Sequence, residues 1–379
     1  MLGNRKLVLD THSEIYDLIK PWRDYEFWDF KQLPIVRGAV YVIGRQQLIE
    51  NIDTIKQLVN DDTIRVIFSN PAEGSETILH HCTHLYGIAD LIKSQKMLLI
   101  GGGDMDAEWP CLQYDSFLPK LLDYEENLTA ILDYANSTVT ERPYKFLFLN
   151  GRTRPHRKYL LERFRVTGLL DQAIWTNLDS TTAGNREIQF MHNGQDLMYD
   201  SLPVHYLDPK YEVPAYHSGI GKQAQGGFVK HALFDNDWGE AYLRVEPYQD
   251  TYFSLVTETV YSYPYSFRTE KIWKPIAIGH PFIAVANRGY YRDLRNLGFQ
   301  TFAHLIDENF DLIDNNQERI ERTAAIVEDL CSQDLPSFVR AAAEVCKYNQ
   351  QHLAHMRQQV RQEFPIRFTQ FTKQYKFHE

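Results

Sequence analysis

Short apolar runs recur along this chain at intervals too wide for hairpins, with amphipathic segments filling the gaps, and this alternation constrains the fold most. KLVLD (6–10), AVYVIG (39–44), TIRVIFSN (63–70) and KMLLIGGG (96–103) read as buried strands. QQLIENIDTIKQLVN and SETILHHCTHLYGIADLIKSQ, lying between them, read as crossover helices. Strands that return through helices pair in parallel, so the expected class is α/β. A chain of 379 residues exceeds one ordinary core, which implies two domains, each with its own sheet, and a cleft between them.

The order changes near residue 140, where LTAILDYANSTVTERPY runs from a helix into a polar, proline-containing joint. The expected division is therefore 1–142, 143–345 and a C-terminal helical segment 346–379 able to cross back to the first domain. The second part opens with the strand KFLFLNG (145–151) and the charged loop and helix RTRPHRKYLLERFRVTGLL. AIWTNL (173–178), TYFSLVTE (251–258) and PFIAVAN (281–287) are further strands. Residues 180–237 read as irregular, and HSGIGKQAQGGF within them as a mobile surface loop without P-loop spacing. Long helices are expected over 315–331 and 336–363, with LDPKYE and FPIRF as local breaks.

A formal charge of −10 and a pI near 5.8 supply no field that would attract nucleic acid or an anionic membrane. Cys82, Cys111, Cys331 and Cys346 lack metal-site spacing and read as reduced core thiols. His80 and His84 read as a coincidence of one helix face. No leader and no long apolar span is visible, so a soluble cytoplasmic protein is expected, peripheral at a membrane at most.

The chemistry concentrates in SFRTEKIWKPIAIGHPFIAV (266–285). TYFSLVTE ends at Glu258, a Tyr- and Pro-rich loop follows, and Thr269 can cap a helix whose first turn carries Glu270 and Lys271. Helix N-termini beyond the carboxyl ends of parallel strands offer N–H groups to phosphate. Lys271 adds positive charge there, and Glu270 can accept hydrogen bonds from a ribose diol. A second cluster, NGRTRPHR, follows the strand 145–151 directly and brings Arg152, Arg154, His156 and Arg157 together. Two anion-binding loops in one domain point to a diphosphate, and the aromatic run YSYPYSF can stack on a base or a sugar.

Residues 253–285, FSLVTETVYSYPYSFRTEKIWKPIAIGHPFIAV, resemble the donor-binding segment of the α-1,3-fucosyltransferases. In that family a strand ends in Phe-Glu-Asn, and a short loop leads to Thr-Glu-Lys opening a helix. The resemblance implies two Rossmann-like domains facing a cleft, the GT-B architecture of inverting glycosyltransferases. It also implies that Glu270 binds the ribose, Lys271 the phosphate, Arg152 or Arg154 the diphosphate, and that Glu258 faces the sugar. Thr257 and Thr259 stand where the family has Phe and Asn, and the loop from Glu258 to Glu270 is longer.

Inverting transfer needs a base for the acceptor hydroxyl at a strand end of the first domain. Glu73, in SNPAEGSE, and Asp104, in GGGDMDAEW, qualify, and Asp104 is preferred because three glycines precede it. The donor is a nucleoside-diphosphate sugar, with a GDP-sugar favoured by the resemblance. The acceptor is a saccharide or glycoconjugate, as in polysaccharide biosynthesis, and no metal is required. Two alternatives stand beside this reading. Asp104 and Asp106 could form a DxD site holding a divalent cation in a single-domain GT-A enzyme, or the chain could bind nucleotide sugar or glycan without catalysis.

Overall fold

The alternation of apolar runs and amphipathic segments produces two sheets, both wholly parallel. The computed structural model describes residues 5–9, 15–19, 25–28, 36–106, 108–123, 125–137, 141–151, 154–177, 191–192, 195–196, 205, 207–208, 211 and 243–374. Arg152, HSGIGKQAQGGF and most of 180–237 lie outside them. The chain divides into one unit formed by Met1–Pro119 with Met356–Glu379 and another formed by Lys120–His355.

In the first unit the strands are β1 (Arg5–Leu9), β2 (Tyr25–Trp28), β3 (Val40–Ile43), β4 (Arg65–Asn70), β5 (Met97–Gly101) and β6 (Cys111–Gln113). They lie in the order β2-β1-β3-β4-β5-β6. Tyr41, Ile43, Val66, Phe68, Met97 and Leu99 pack on one face, and Leu7, Val40, Val42, Ile67, Leu98 and Ile100 on the other. Burial on both faces explains why these strands read as continuous apolar runs.

The second face is closed by Phe364, Phe368 and Phe371. FPIRF, expected as a break, is helical: the helix Leu335–Gln374 continues through Pro365. Proline removes one backbone hydrogen bond there, and burial of aromatic side chains at positions i, i+4 and i+7 outweighs that loss.

The second unit holds β7 (Tyr144–Phe148), β8 (Ala173–Trp175), a small antiparallel pair β9 (Met191–His192) and β10 (Gln195–Asp196), then β11 (Thr251–Thr257) and β12 (Phe282–Val285). The main sheet has the order β12-β11-β7-β8. From β7 the chain moves outward to β8, returns to the other side of β7 with β11, and continues to β12. The strand order therefore reverses between β7 and β11, and in the first sheet it reverses between β1 and β3.

The unit boundary departs from the expected joint near 142. Ala130, Ile131 and Tyr134, on the helix Glu125–Ala135, pack with Leu147, Ile174, Tyr248 and Ile278. Asn127 ties the same helix to the later chain by accepting a hydrogen bond from the Leu243 N–H at 2.7 Å. A polar joint is visible in sequence, but which core a helix joins depends on partners more than a hundred residues away. Among the described residues no helix is long and apolar enough to cross a membrane.

Candidate functional site

Ligands of open parallel sheets bind beyond the carboxyl ends of the strands where the strand order reverses. In the second unit that place is the edge between β7 and β11, and both basic clusters of the sequence begin there. One follows β7 and enters the helix Pro155–Val166, with Arg154 as its N-cap and Pro155 in its first turn. The other follows β11 and enters the helix Glu270–Ile278, with Thr269 as its N-cap.

The expected cap is formed, since Thr269 Oγ1 accepts a hydrogen bond from the Lys271 N–H at 3.3 Å. Lys271 Nζ donates to Thr269 Oγ1 at 3.2 Å and pairs with Glu270 Oε1 at 2.6 Å. Burial raises the Glu270 carboxyl, but Lys271 and Lys274 outweigh it and hold the group below its ordinary range.

The two clusters are joined by one chain of contacts. Thr269 N–H and Oγ1–H donate to the two carboxylate oxygens of Glu258 at 3.0 and 2.7 Å. The Glu258 carbonyl accepts from His156 Nε2 at 2.9 Å and from Arg157 Nη2 at 3.2 Å. Burial, then the charge of Arg157, depresses His156 well below its usual value, so the ring is neutral and donates from Nε2. Arg154 adds to the same positive field.

Two assignments change. Glu258, expected to face a sugar, is 0 % exposed, and both of its oxygens are taken by Thr269 and the Tyr290 hydroxyl. Burial raises its pKa against the pull of Lys271 and the Thr269 hydrogen bonds. Arg157, expected at a phosphate, is 3 % exposed and donates from Nη2 to the strand-end carbonyls of Thr257 and Glu258. Both residues hold the edge from beneath. Thr269, 2 % exposed with its N–H and hydroxyl both given to Glu258, belongs with them, so Arg154, Glu270 and Lys271 remain the residues of this edge that can meet a ligand, while Arg152 lies outside the described residues.

Sequence reading missed a polar layer that closes the sheet. Thr257 Oγ1 donates to Asn150 Oδ1 at 2.8 Å, and Asn150 N–H donates to Thr176 Oγ1 at 2.7 Å. Lys158 Nζ donates to Asn177 Oδ1 at 2.7 Å, and Asn287 Nδ2 donates to Ser266 Oγ at 3.0 Å. A signal was present: the four apolar runs close as FLFLN, AIWTN, SLVTE and IAVAN, each on an amide or a carboxylate. In the YSYPYSF loop, Tyr261 is used in packing, stacked on His156 with centroids 5.0 Å apart and beneath Arg319 at 4.4 Å. Tyr263 and Tyr265 are half-buried, with ring centroids 5.6 Å apart.

In the first unit Glu73 and Asp104 follow neighbouring strands, and their loops touch: Gly102 N–H donates to the Glu73 carbonyl at 3.2 Å. Two of the three glycines have packing or backbone reasons. A Cβ on Gly101 would lie 3.0 Å from Ile78 Cδ1, and Gly103 has φ 70°. Asp106 Oδ1 accepts from the Glu108 N–H at 3.0 Å, the bond of an Asx turn. Among the described residues no three His, Cys, Asp or Glu side chains are grouped to hold a metal. The four cysteines are free thiols, and burial pushes Cys82, Cys331 and Cys346 up to about 12.

No family model, no curated protein and no solved structure matches this chain.

Proposed function

We propose that this edge binds the diphosphate of a nucleoside-diphosphate sugar and that the protein is an inverting glycosyltransferase of GT-B architecture. What carries the reading is the continuity of Arg154, His156, Glu258, Thr269 and Lys271 across the reversal point between β7 and β11. The helix capped by Arg154 and the helix with Lys271 in its first turn both begin at this edge, an arrangement that suits a group carrying two or more negative charges.

In this mechanism Lys271 and Arg154 neutralise the leaving diphosphate as the sugar–phosphate bond breaks, the step in which charge develops most. Glu270 exchanges its bond with Lys271 for the ribose diol. A saccharide or glycoconjugate hydroxyl attacks the opposite face of the sugar while a carboxylate removes its proton. Asp104 is the preferred base and Glu73 the second choice; no metal enters the step. The DxD version has less support, because Asp106 is engaged in its own turn.

Purified protein incubated with radiolabelled GDP-, UDP-, CMP- or TDP-sugars and a mixed glycan acceptor is expected to transfer or hydrolyse one of them in the presence of EDTA. Binding without turnover would reduce the reading to a nucleotide-sugar-binding protein. Turnover that requires a divalent cation and is abolished by Asp106→Ala, but not by Lys271→Ala, would replace it with the metal-dependent version.

A further inference from the structure

A threonine cap needs no carboxylate behind it, since its own hydroxyl satisfies the helix N-terminus. Here, however, an ionisable group is buried beneath the cap, at a desolvation penalty that a stability role alone would avoid. We infer that Glu258 is a positioning residue: its buried carboxylate sets the orientation of Thr269, and through Thr269 the first turn of the Glu270 helix and the Lys271 ammonium that meets the ligand. This rests on the proposal that the edge binds an anion.

The geometry states how. A threonine hydroxyl is a rotor, and capping leaves its proton free to point in several directions. Glu258 Oε2 takes that proton at 2.7 Å, so the oxygen's lone pairs face Lys271, whose backbone N–H and Nζ both donate to it at 3.3 and 3.2 Å. Glu258 Oε1 holds the Thr269 N–H at 3.0 Å and is fixed from its far side by the Tyr290 hydroxyl at 3.0 Å. Its backbone is anchored as well: the N–H donates to Val285 O at 3.0 Å, and the carbonyl accepts from His156 and Arg157. The carboxylate is thus a post held by β12, the Pro155 helix and Tyr290, with the cap resting on it.

The charged and titratable groups facing it are His156 and Arg157 from the Pro155 helix, Glu270 and Lys271 from the following helix, and Tyr290. His156 is depressed well below its usual value and Glu270 below the ordinary carboxylate range, whereas Glu258 is raised. Of the two carboxyls beside Thr269, then, Glu258 is moved upward and Glu270 downward, so the upward-displaced carboxyl transition sensed at Thr269 is that of Glu258.

The test uses the full chain with 15N-threonine, followed by NMR and by hydrogen exchange of the peptide spanning residues 266–274. In the wild type the Thr269 amide proton is expected to shift with pH in a carboxyl transition displaced upward from the ordinary glutamate value; in Glu258→Gln that transition is absent. Exchange of 266–274 is expected to accelerate about tenfold or more in Glu258→Gln while β7 keeps its protection, and inorganic pyrophosphate to bind about tenfold more weakly. Tyr290→Phe, which leaves the carboxylate in place, serves if Glu258→Gln does not fold; it is expected to move the Thr269 transition and to accelerate exchange by about threefold. A Thr269 amide that shows no such transition, or wild-type exchange and pyrophosphate affinity in a folded variant, overturns the proposal. Wild-type protein that shows the Thr269 transition but binds no pyrophosphate removes the anion reading of the edge and leaves the positioning of Thr269 by Glu258 standing.

Discussion

The carboxyl edges of the two sheets are built alike in topology and differently in chemistry. In the second sheet each strand of the described edge closes on a polar residue bonded to a neighbour: Asn150 through its N–H to Thr176 and its Oδ1 to Thr257, Asn177 to Lys158, Glu258 to Thr269, and Asn287 through Nδ2 to Ser266, although Asn287 Oδ1 finds no partner among the described residues. In the first sheet β4 closes on Ser69 and Asn70, both buried, whose Oγ and Nδ2 find no hydrogen-bond partner among the described residues. β5 closes on glycines. A bonded polar layer fixes positions before a ligand arrives, whereas a glycine edge with unsatisfied groups leaves them to whatever comes next. Bonded polar groups are therefore denser at the edge proposed to hold the diphosphate than at the carboxyl end of β4 and β5.

Acid provides the largest way to test that contrast. His280, buried in the second unit, donates from Nε2 to Thr251 O at 2.8 Å and accepts from Ser254 Oγ at Nδ1 at 2.9 Å; burial lowers it to about 3. His156 is lowered in the same direction. Both folded-state values lie below the unfolded one, so their contribution is full above about pH 6.5 and is lost as pH falls toward 3. For His280 the loss is on the order of 4 kcal/mol. Calorimetry from pH 7 to 4 is expected to show the second unit's transition falling first. If the first unit falls first, the buried histidines do not set the acid stability of the second unit.

Next comes Arg157→Ala, which removes the donor holding the Thr257 and Glu258 carbonyls. A loss of about 3 kcal/mol is expected in urea unfolding followed by the second unit's tryptophans. A loss under about 1 kcal/mol would return Arg157 to the list of ligand-facing residues.

Asn150→Ala against Asn70→Ala sharpens the comparison directly. The first breaks a satisfied network and is expected to destabilise by about 1–3 kcal/mol; the second removes an unsatisfied group and is expected to fall within about 0.5 kcal/mol of neutral. Equal effects would show that the two edges are equally organised. Lys271→Ala is expected to leave the melting temperature nearly unchanged and to weaken GDP binding by about tenfold or more, read by calorimetric titration. The nucleotide assignment of the edge fails if affinity is retained.

Much of the second sheet was legible from local pattern. Thr269 caps the helix the sequence places there, because capping depends on residues within one turn. The strands YKFLF, TYFSLVT and FIAV lie where the apolar runs predict. The roles of Glu258 and Arg157 were not legible. From sequence both are charged residues in a loop region that ligands favour. Their inward orientation follows from β11 lying beside β7, about a hundred residues apart in the chain, which leaves each polar group to be satisfied by the other segment. The boundary near 142 and the break at FPIRF failed for the same reason: Ile278 recruits the helix Glu125–Ala135, and the first sheet recruits Phe364 and Phe368.

By itself, then, the amino-acid order determined the α/β class, the parallel pairing, the strand ends and the capped helix with its lysine, because each depends on contacts within a few residues or on the length of a crossover. Tertiary structure alone decided where each strand order reverses, which charges are desolvated and which face outward. Those outcomes depend on strands and helices that meet only after the chain has closed long loops, and no local pattern encodes which distant backbone will accept a buried arginine's hydrogen bonds.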